Sequence, residues 1–307
     1  MEKHYDVIII GGRVAGASLA IQLGKQGRKV LLIDRATFPS WPSVPSSPLV
    51  HPGTMRLLDE LGFAEEEYAH PGAKVDHFIL DMMGKFQAIM PTKLLELDRN
   101  YVYGIDRHKF DTVLWQRAAS LPTVTACENY AMTDVIKDGA GRVIGITGKG
   151  EGPEEEISAD LVVGADGRFS LAAHKFGSTP FEELNDFPSA SYHAEWENVA
   201  PHSNEYPQPL IVYQLGGGYS LLCIPIDKGK YIIANYLRTR DTNFKGKLED
   251  HYLEAIQSVP RLRERLKNAR RVTPVVGVRR IDNGYRTAYG DGWALVGDAF
   301  HYESPLD

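Results

Sequence analysis

Three short apolar runs, far apart in the chain, each end in glycine followed closely by an acid or a small residue: Val7 to Ile10 before Gly11, Leu161 to Val163 before Gly164 and Asp166, and Ala294 to Val296 before Gly297 and Asp298. Unbroken runs of this length, without polar alternation, predict strands buried on both faces of a parallel sheet. After the first run, Ala15, Leu19, Ala20 and Leu23 recur at helical spacing, Gly24 and Gly27 mark an exit, and Val30 to Ile33 form another buried run. Strand, turn, helix and strand in this order make a βαβ unit.

Between these runs the pattern changes period several times. The stretch TFPSWPSVPSSPLVHPG is rich in Pro and Ser and predicts a long surface loop, followed by a short helix carrying Met55, Leu57, Leu58 and Leu61. Residues Val75 to Pro91 predict a hairpin turning at Gly84, and Ile105 to Ser120 a helix with Phe110, Val113, Leu114 and Ala118 on one face. Two extended runs, Val124 to Lys137 and Arg142 to Lys149, flank the turn signal DGAG. From about Phe181 the strands Ser191 to Val199, Leu210 to Leu215, Tyr219 to Ile226 and Lys230 to Leu237 follow one another across Gly-rich turns, predicting an antiparallel sheet. Helices are predicted over Leu248 to Gln257 and Pro260 to Lys267.

Composition narrows the classes rather than choosing among them. The 307 residues, 43% of them hydrophobic, suffice for about two domains or one interrupted domain. A formal charge of -6 argues against a nucleic-acid surface, and the one basic run, RLRERLKNARR from Arg261 to Arg271, reads as an exposed helix face because Glu264 interleaves with it. Cys127 and Cys223 each lie in an apolar run and read as small buried hydrophobes of a reducing compartment. No apolar run reaches the roughly twenty residues of a membrane span. The first strand begins within about five residues of Met1, which leaves no signal peptide and predicts a cytoplasmic protein.

The candidate chemistry gathers at the strand ends. In the first turn Gly11 and Gly16 occupy positions of a dinucleotide fingerprint, with the helix N-terminus facing a phosphate and Asp34 at the end of the second strand facing a ribose hydroxyl. The middle glycine of that fingerprint is replaced by Arg13. Its guanidinium is expected to make charge-assisted bonds to the pyrophosphate, the competing reading being a solvated Arg on a βαβ unit without ligand. Arg107 stands at the start of its helix, where the dipole offers a cation nothing, and so points to an anionic or nucleotide partner. His51 reads either as a capping and packing residue or as a substrate or flavin contact. Tyr213, Tyr219 and Tyr236 read either as core or as pocket lining.

Taken together, these motifs resemble the FAD-dependent monooxygenases of the para-hydroxybenzoate hydroxylase type, along nearly the whole chain. The motifs are the N-terminal turn with the strand Leu31 to Arg35, the RxxxD helix with Arg107 and Asp111, GADGRFS with Asp166 and Gly167, and WALVGDA with Gly297 and Asp298. The resemblance implies an α/β fold in which an FAD-binding βαβ (Rossmann-like) domain, residues 1–75, 101–180 and 283–307, carries an inserted antiparallel-sheet substrate domain, residues 76–100 and 181–282. It implies FAD held by Gly11, Arg13, Gly16, Asp34, Arg35, Arg107, Asp166, Gly167, Gly297, Asp298 and Pro305. It further implies NAD(P)H as electron donor, O2 as co-substrate, and hydroxylation of an aromatic or polyketide-like small molecule through a flavin C4a-hydroperoxide, with no metal.

Two departures from the family are visible. Where the DG motif ends in arginine this chain has Ala173 and His174, and after Pro305 the sequence stops at Leu306-Asp307, before the helix that supports the flavin ring, so the chain reads as a fragment. The rival readings are a prenyl-lipid reductase, a non-catalytic FAD-binding protein, and a flavin-dependent halogenase. The halogenase marker W-x-W-x-I-P has as its counterpart Ser220, Leu221, Leu222, Cys223, Ile224 and Pro225, in which Ile-Pro remains and both tryptophans are missing.

Overall fold

The computed structural model describes residues 2–42, 46–92, 99–242 and 247–303, with residues 183–187 as backbone only. Strand β1 (His4–Ile10) lies at the centre of a parallel array, pairing with β2 (Val30–Ile33) on one side and with Glu155–Gly164 on the other. Val124–Cys127 extends the array beyond β2, and Trp293–Leu295 extends it beyond Glu155–Gly164. Both faces are covered, as the unbroken apolar runs require. Val7, Ile9 and Leu32 pack with Phe110 and Leu114, whereas Ile8, Ile10, Leu31 and Ile33 pack with Phe176 and Trp293.

Helix α1 (Val14–Lys25) is the crossover between β1 and β2, and it buries Ala17, Ala20 and Ile21. The helix Arg107–Ala119 packs on it with the predicted face inward: Phe110, Leu114 and Ala118 are buried. The extended run predicted over 124–137 is two strands. Val124–Cys127 joins the parallel sheet and Ala131–Lys137 a hairpin with Val143–Lys149, because the chain turns at Asn129, whose φ is 50°.

The second sheet has nine strands among the described residues, in the order His301–Tyr302, Val276–Arg286, Pro180–Glu197, Lys230–Arg238, Tyr219–Asp227, Leu210–Gly216, His77–Met82 and Phe86–Pro91, with Arg270–Arg271 added beside Pro180–Glu197. The early hairpin His77–Pro91 belongs to this sheet. It enters parallel to Leu210–Gly216, so the sheet predicted as antiparallel contains one parallel pair, between segments far apart in the chain.

Alternation gives this sheet two different faces. Leu221, Cys223, Tyr231 and Ile233 pack under Tyr252, Ile256 and Leu262 of the helices Leu248–Gln257 and Pro260–Arg265. Ile224, on the opposite face, packs with Val75 and Val102 of a three-stranded sheet made by Leu49–Val50, Lys74–Val75 and Val102–Gly104. The contact is close: a Cβ on Gly104 would lie 1.8 Å from the carbonyl oxygen of Pro225. This inner face is therefore turned toward the parallel-sheet unit. The basic run 261–271 differs from expectation, since its helix stops at Arg265 and that arginine is buried, covering the Tyr231 ring 4.9 Å from the centroid.

Candidate cofactor site

Parallel pairing in register brings the three turns together. Ile10 is beside Ile33 and Gly164, and Gly164 is beside Leu295, so the residues that follow leave the sheet along one edge. The ladder continues one step into the turns: Gly11 N–H donates to Ile33 O at 2.8 Å, Ala165 N–H to Ile10 O at 2.7 Å, and Val296 N–H to Gly164 O at 2.9 Å.

Glycine is required here by contact. Gly11 has φ +102°, and a Cβ on it would lie 2.5 Å from Ala165 O. A Cβ on Gly16 would lie 1.8 Å from Gly11 O, and one on Gly297 would lie 2.8 Å from Ala15 Cβ. The first and third turns thus touch across the N-terminus of α1. That terminus has no side-chain cap and no acid in its first turn, leaving amides free to face an anion.

Asp34 is buried at the end of β2, where it accepts from Gly12 N–H at 2.7 Å and from Ala36 N–H at 2.8 Å. It therefore fixes the glycine turn and the start of the following loop, while each oxygen keeps a lone pair. Arg35 beside it is exposed.

Arg13 has partners that the sequence did not show. Its Nη1 donates to Asp111 Oδ2 at 2.7 Å and to Ser40 O at 3.1 Å, and its Nη2 donates to Ser40 Oγ at 3.0 Å and to Trp41 O at 2.8 Å. Both terminal nitrogens are engaged with protein. Arg107 finds its anionic partner on its own helix, with Nε 2.9 Å from Asp111 Oδ1 and Nη2 3.1 Å from Asp111 Oδ2. Asp111, 0% exposed, thus holds two arginines. Phe38 stacks on Trp115 with 4.8 Å between centroids, and Arg13 lies over Phe38. The Pro/Ser loop is clasped to the helix Arg107–Ala119 through these contacts. Trp115 was not singled out in the sequence, although its ring lies 2.2 Å from where a Gly12 Cβ would be.

In the second turn Asp166 receives the Ser170 hydroxyl at 2.5 Å and Ala172 N–H at 3.0 Å, so it secures the start of the helix Leu171–Phe176. Gly167 has φ +83°, with nothing within 4 Å of its Cβ direction. Asp298, exposed in the third turn, lies in the field of Arg168, which donates to the carbonyls of Asp282 and Glu303. Pro305 lies outside the described residues.

The remaining candidates separate. His51 is exposed at the start of the helix Pro52–Glu60 and makes no side-chain cap there. Tyr213 is 1% exposed in the core beneath the helices, and Tyr219 packs with Ala190 and Leu237 on the same side of the sheet, so neither lines the inner face. Strand alternation reverses direction at every residue, which the sequence reading did not resolve. Tyr236 is on the inner face, its phenol raised by burial and its hydroxyl beside Ser191. Cys223 is buried, whereas Cys127 is half-buried, and burial raises both thiols. Among the described residues no group of His, Cys, Asp and Glu is placed to hold a metal, and no helix is long and apolar enough to cross a membrane.

Three inner-face positions that sequence reasoning missed lie on the strand Pro180–Glu197. Ser191 is paired with Tyr236, His193 with Ala234, and Glu195 with Ile232, so all three share the face of Ile224. Glu195 bonds Lys230 at 2.8 Å, and Lys230 Nζ is 3.8 Å from Asp106, which caps the helix Arg107–Ala119. Burial raises the Glu195 carboxyl against the pull of Lys230, and burial holds the His193 imidazole down at about 4. The signal was period-two alternation in SASYHAEWE, where the polar set faces in.

The turns fit an extended dinucleotide: an uncapped helix N-terminus for its pyrophosphate, an acid at the neighbouring strand end, and a third turn in contact with the first. A 1H-pyrrole-2-carbonyl-[peptidyl-carrier protein] chlorinase of Pseudomonas fluorescens is 25% identical, over 100% of this chain and 72% of its own length. A 6-methylpretetramide 4-monooxygenase of Streptomyces rimosus is 28% identical over 60% of this chain and 43% of its own length. The solved structure of the flavin-dependent brominase Bmp2 has the same fold, with a TM-score of 0.83 at 21% identity, covering 99% of this chain and 74% of that one. With its residues 4–307 matching the FAD binding domain family, the chain belongs to that family of FAD-dependent oxidoreductases.

Proposed function

We propose that this chain is a flavin-dependent halogenase acting on an electron-rich aromatic or heteroaromatic small molecule, free or carrier-bound. The observation that carries this reading is the alignment with a carrier-protein chlorinase along the whole chain, rather than over the dinucleotide turn alone. Reduced FAD supplies the electrons with which O2 is activated for oxidation of the halide. The chain's own residues bind and enclose. The turn Gly11–Gly16 and the α1 amides receive the pyrophosphate, Asp34 a ribose, and Gly297 with Asp298 the ribityl segment. Asp111, through Arg13 and Arg107, holds the loop that follows Asp34. Leu222, Ile224, Ile226, Ile232 and Ala234 make an apolar wall that excludes water from the substrate space.

A second reading, hydroxylation, is favoured by one specific feature. Ser220 and Leu222 stand where the halogenase marker has tryptophans, and both lie on the inner face. In either case NAD(P)H is proposed as the ultimate electron source, and residues 76–100 with 181–282 as the substrate-binding part. The test is oxidation of a pyrrole and phenol panel by FAD-loaded protein with NADH, a separate flavin reductase, O2 and bromide. Brominated product by mass spectrometry supports the first reading. Hydroxylated product indifferent to halide refutes it in favour of the second.

A further inference from the structure

The inner face of the large sheet is apolar apart from a short polar row, and that row has an unoccupied member. Ser191 sits beside Tyr236, and Glu195 is tied to Lys230. His193, between them on the same strand and face, makes no hydrogen bond to another described residue. Its cross-strand neighbours are Ala234 on one side and Val276 on the other. Ala234 is 3% exposed and closes the wall, whereas Val276 is 48% exposed, so the face opens beside the imidazole. The next polar position on this face, the Glu195–Lys230 pair, reaches Asp106 at the N-terminus of the helix that packs on α1. A polar ring set in an apolar wall, open on one side and without a partner among the described residues, is how a binding site orients a ligand.

We propose that His193 is the substrate's hydrogen-bond partner, accepting an O–H or N–H of an electron-rich aromatic ring held against Ala234, Leu222 and Tyr236. The proposal rests on the reading of the chain as acting on an aromatic small molecule, and it does not depend on whether the oxidised product is halogenated or hydroxylated. A neutral imidazole accepts at one nitrogen, and burial keeps this one neutral at pH 7. Drawing the ring proton toward His193 adds electron density to the arene, which favours attack on an electrophile. A ring whose O–H or N–H is methylated leaves the imidazole unpaired and is disfavoured.

The test uses FAD-loaded full chain and matched probes: phloroglucinol against 1,3,5-trimethoxybenzene, and pyrrole-2-carboxamide against its N-methyl form. Binding is read from perturbation of the flavin absorbance. The wild type is expected to prefer the proton-bearing member of a pair by roughly tenfold, and His193→Leu to lose that preference while its FAD affinity stays unchanged. As a second readout, the imidazole Cε1–H resonance of His193, assigned by its disappearance in His193→Gln, shifts with the proton-bearing probe and not with its methylated partner. An undiminished preference in His193→Leu, or a wild type that discriminates within neither pair, overturns the proposal. Failure to incorporate halide bears on the proposed function alone, because neither binding readout involves turnover.

Discussion

Replacing Arg13 by Ala separates two roles for an arginine in a dinucleotide turn. In the structure its fork makes one charge-assisted bond to the fully buried Asp111 and three bonds to Ser40 and Trp41. The bond to carboxylate is worth about 1.5–3 kcal/mol and a partly exposed carbonyl bond about 1 kcal/mol or less. Asp111 is not stranded by the change, because Arg107 still gives it two bonds. Arg13→Ala is therefore expected to lower the stability of the FAD-free protein by about 2–3 kcal/mol and to expose the Ser40–Trp41 loop to protease. Asp111→Ala, which leaves two cations without their carboxylate, is expected to cost about 3–5 kcal/mol. A double-mutant cycle should show coupling of about 1–2 kcal/mol between the two sites. Urea unfolding of the FAD-free forms gives these values, and flavin-fluorescence titration gives affinity. If Arg13→Ala leaves stability and proteolysis unchanged yet abolishes FAD binding, the arginine is a phosphate ligand and the clasp is refuted.

Other outcomes are as specific. Gly16→Ala places a methyl 1.8 Å from Gly11 O, a backbone atom with no room to retreat, and is expected to weaken FAD binding at least about tenfold by displacing the turn. Gly27→Ala, at φ +79° in open space, costs about 1 kcal/mol of stability and leaves FAD affinity intact, which makes it the control. Cys223, its thiol pushed up to about 12 by burial, is expected not to react with a disulfide reagent at pH 8 until urea unfolds the chain. Because the folded His193 pKa is about 4, below its ordinary value of 6.5, its contribution is fully present above the ordinary value and is lost as pH falls toward 4. Between pH 7 and pH 5 the wild type should lose on the order of 1–2 kcal/mol more stability than His193→Gln, by urea titration at each pH. An equal loss in both removes the imidazole from the balance.

The sequence by itself determined the parallel sheet, its three turns and the membership of an FAD-binding family, but not the hydroxylase type within it. Unbroken apolar runs specify strands buried on both faces, and a glycine whose absent Cβ admits a neighbouring backbone leaves a local mark at fixed spacing, as Gly11 and Gly16 do. The helix carrying Phe110, Leu114 and Ala118 was legible for the same reason: periodicity is written along the chain. What the tertiary structure decided lies across the chain. The partners of Arg13, Asp111 and Trp41, are distant in sequence, and only folding brings them to the guanidinium. Tyr213 and Tyr236 look alike in sequence, yet a register fixed by pairing with other strands sends one beneath the helices and the other to the inner face. His193 was overlooked because the face a lone histidine takes in a strand is set by the pairing of distant segments, here with Ala234 and Val276.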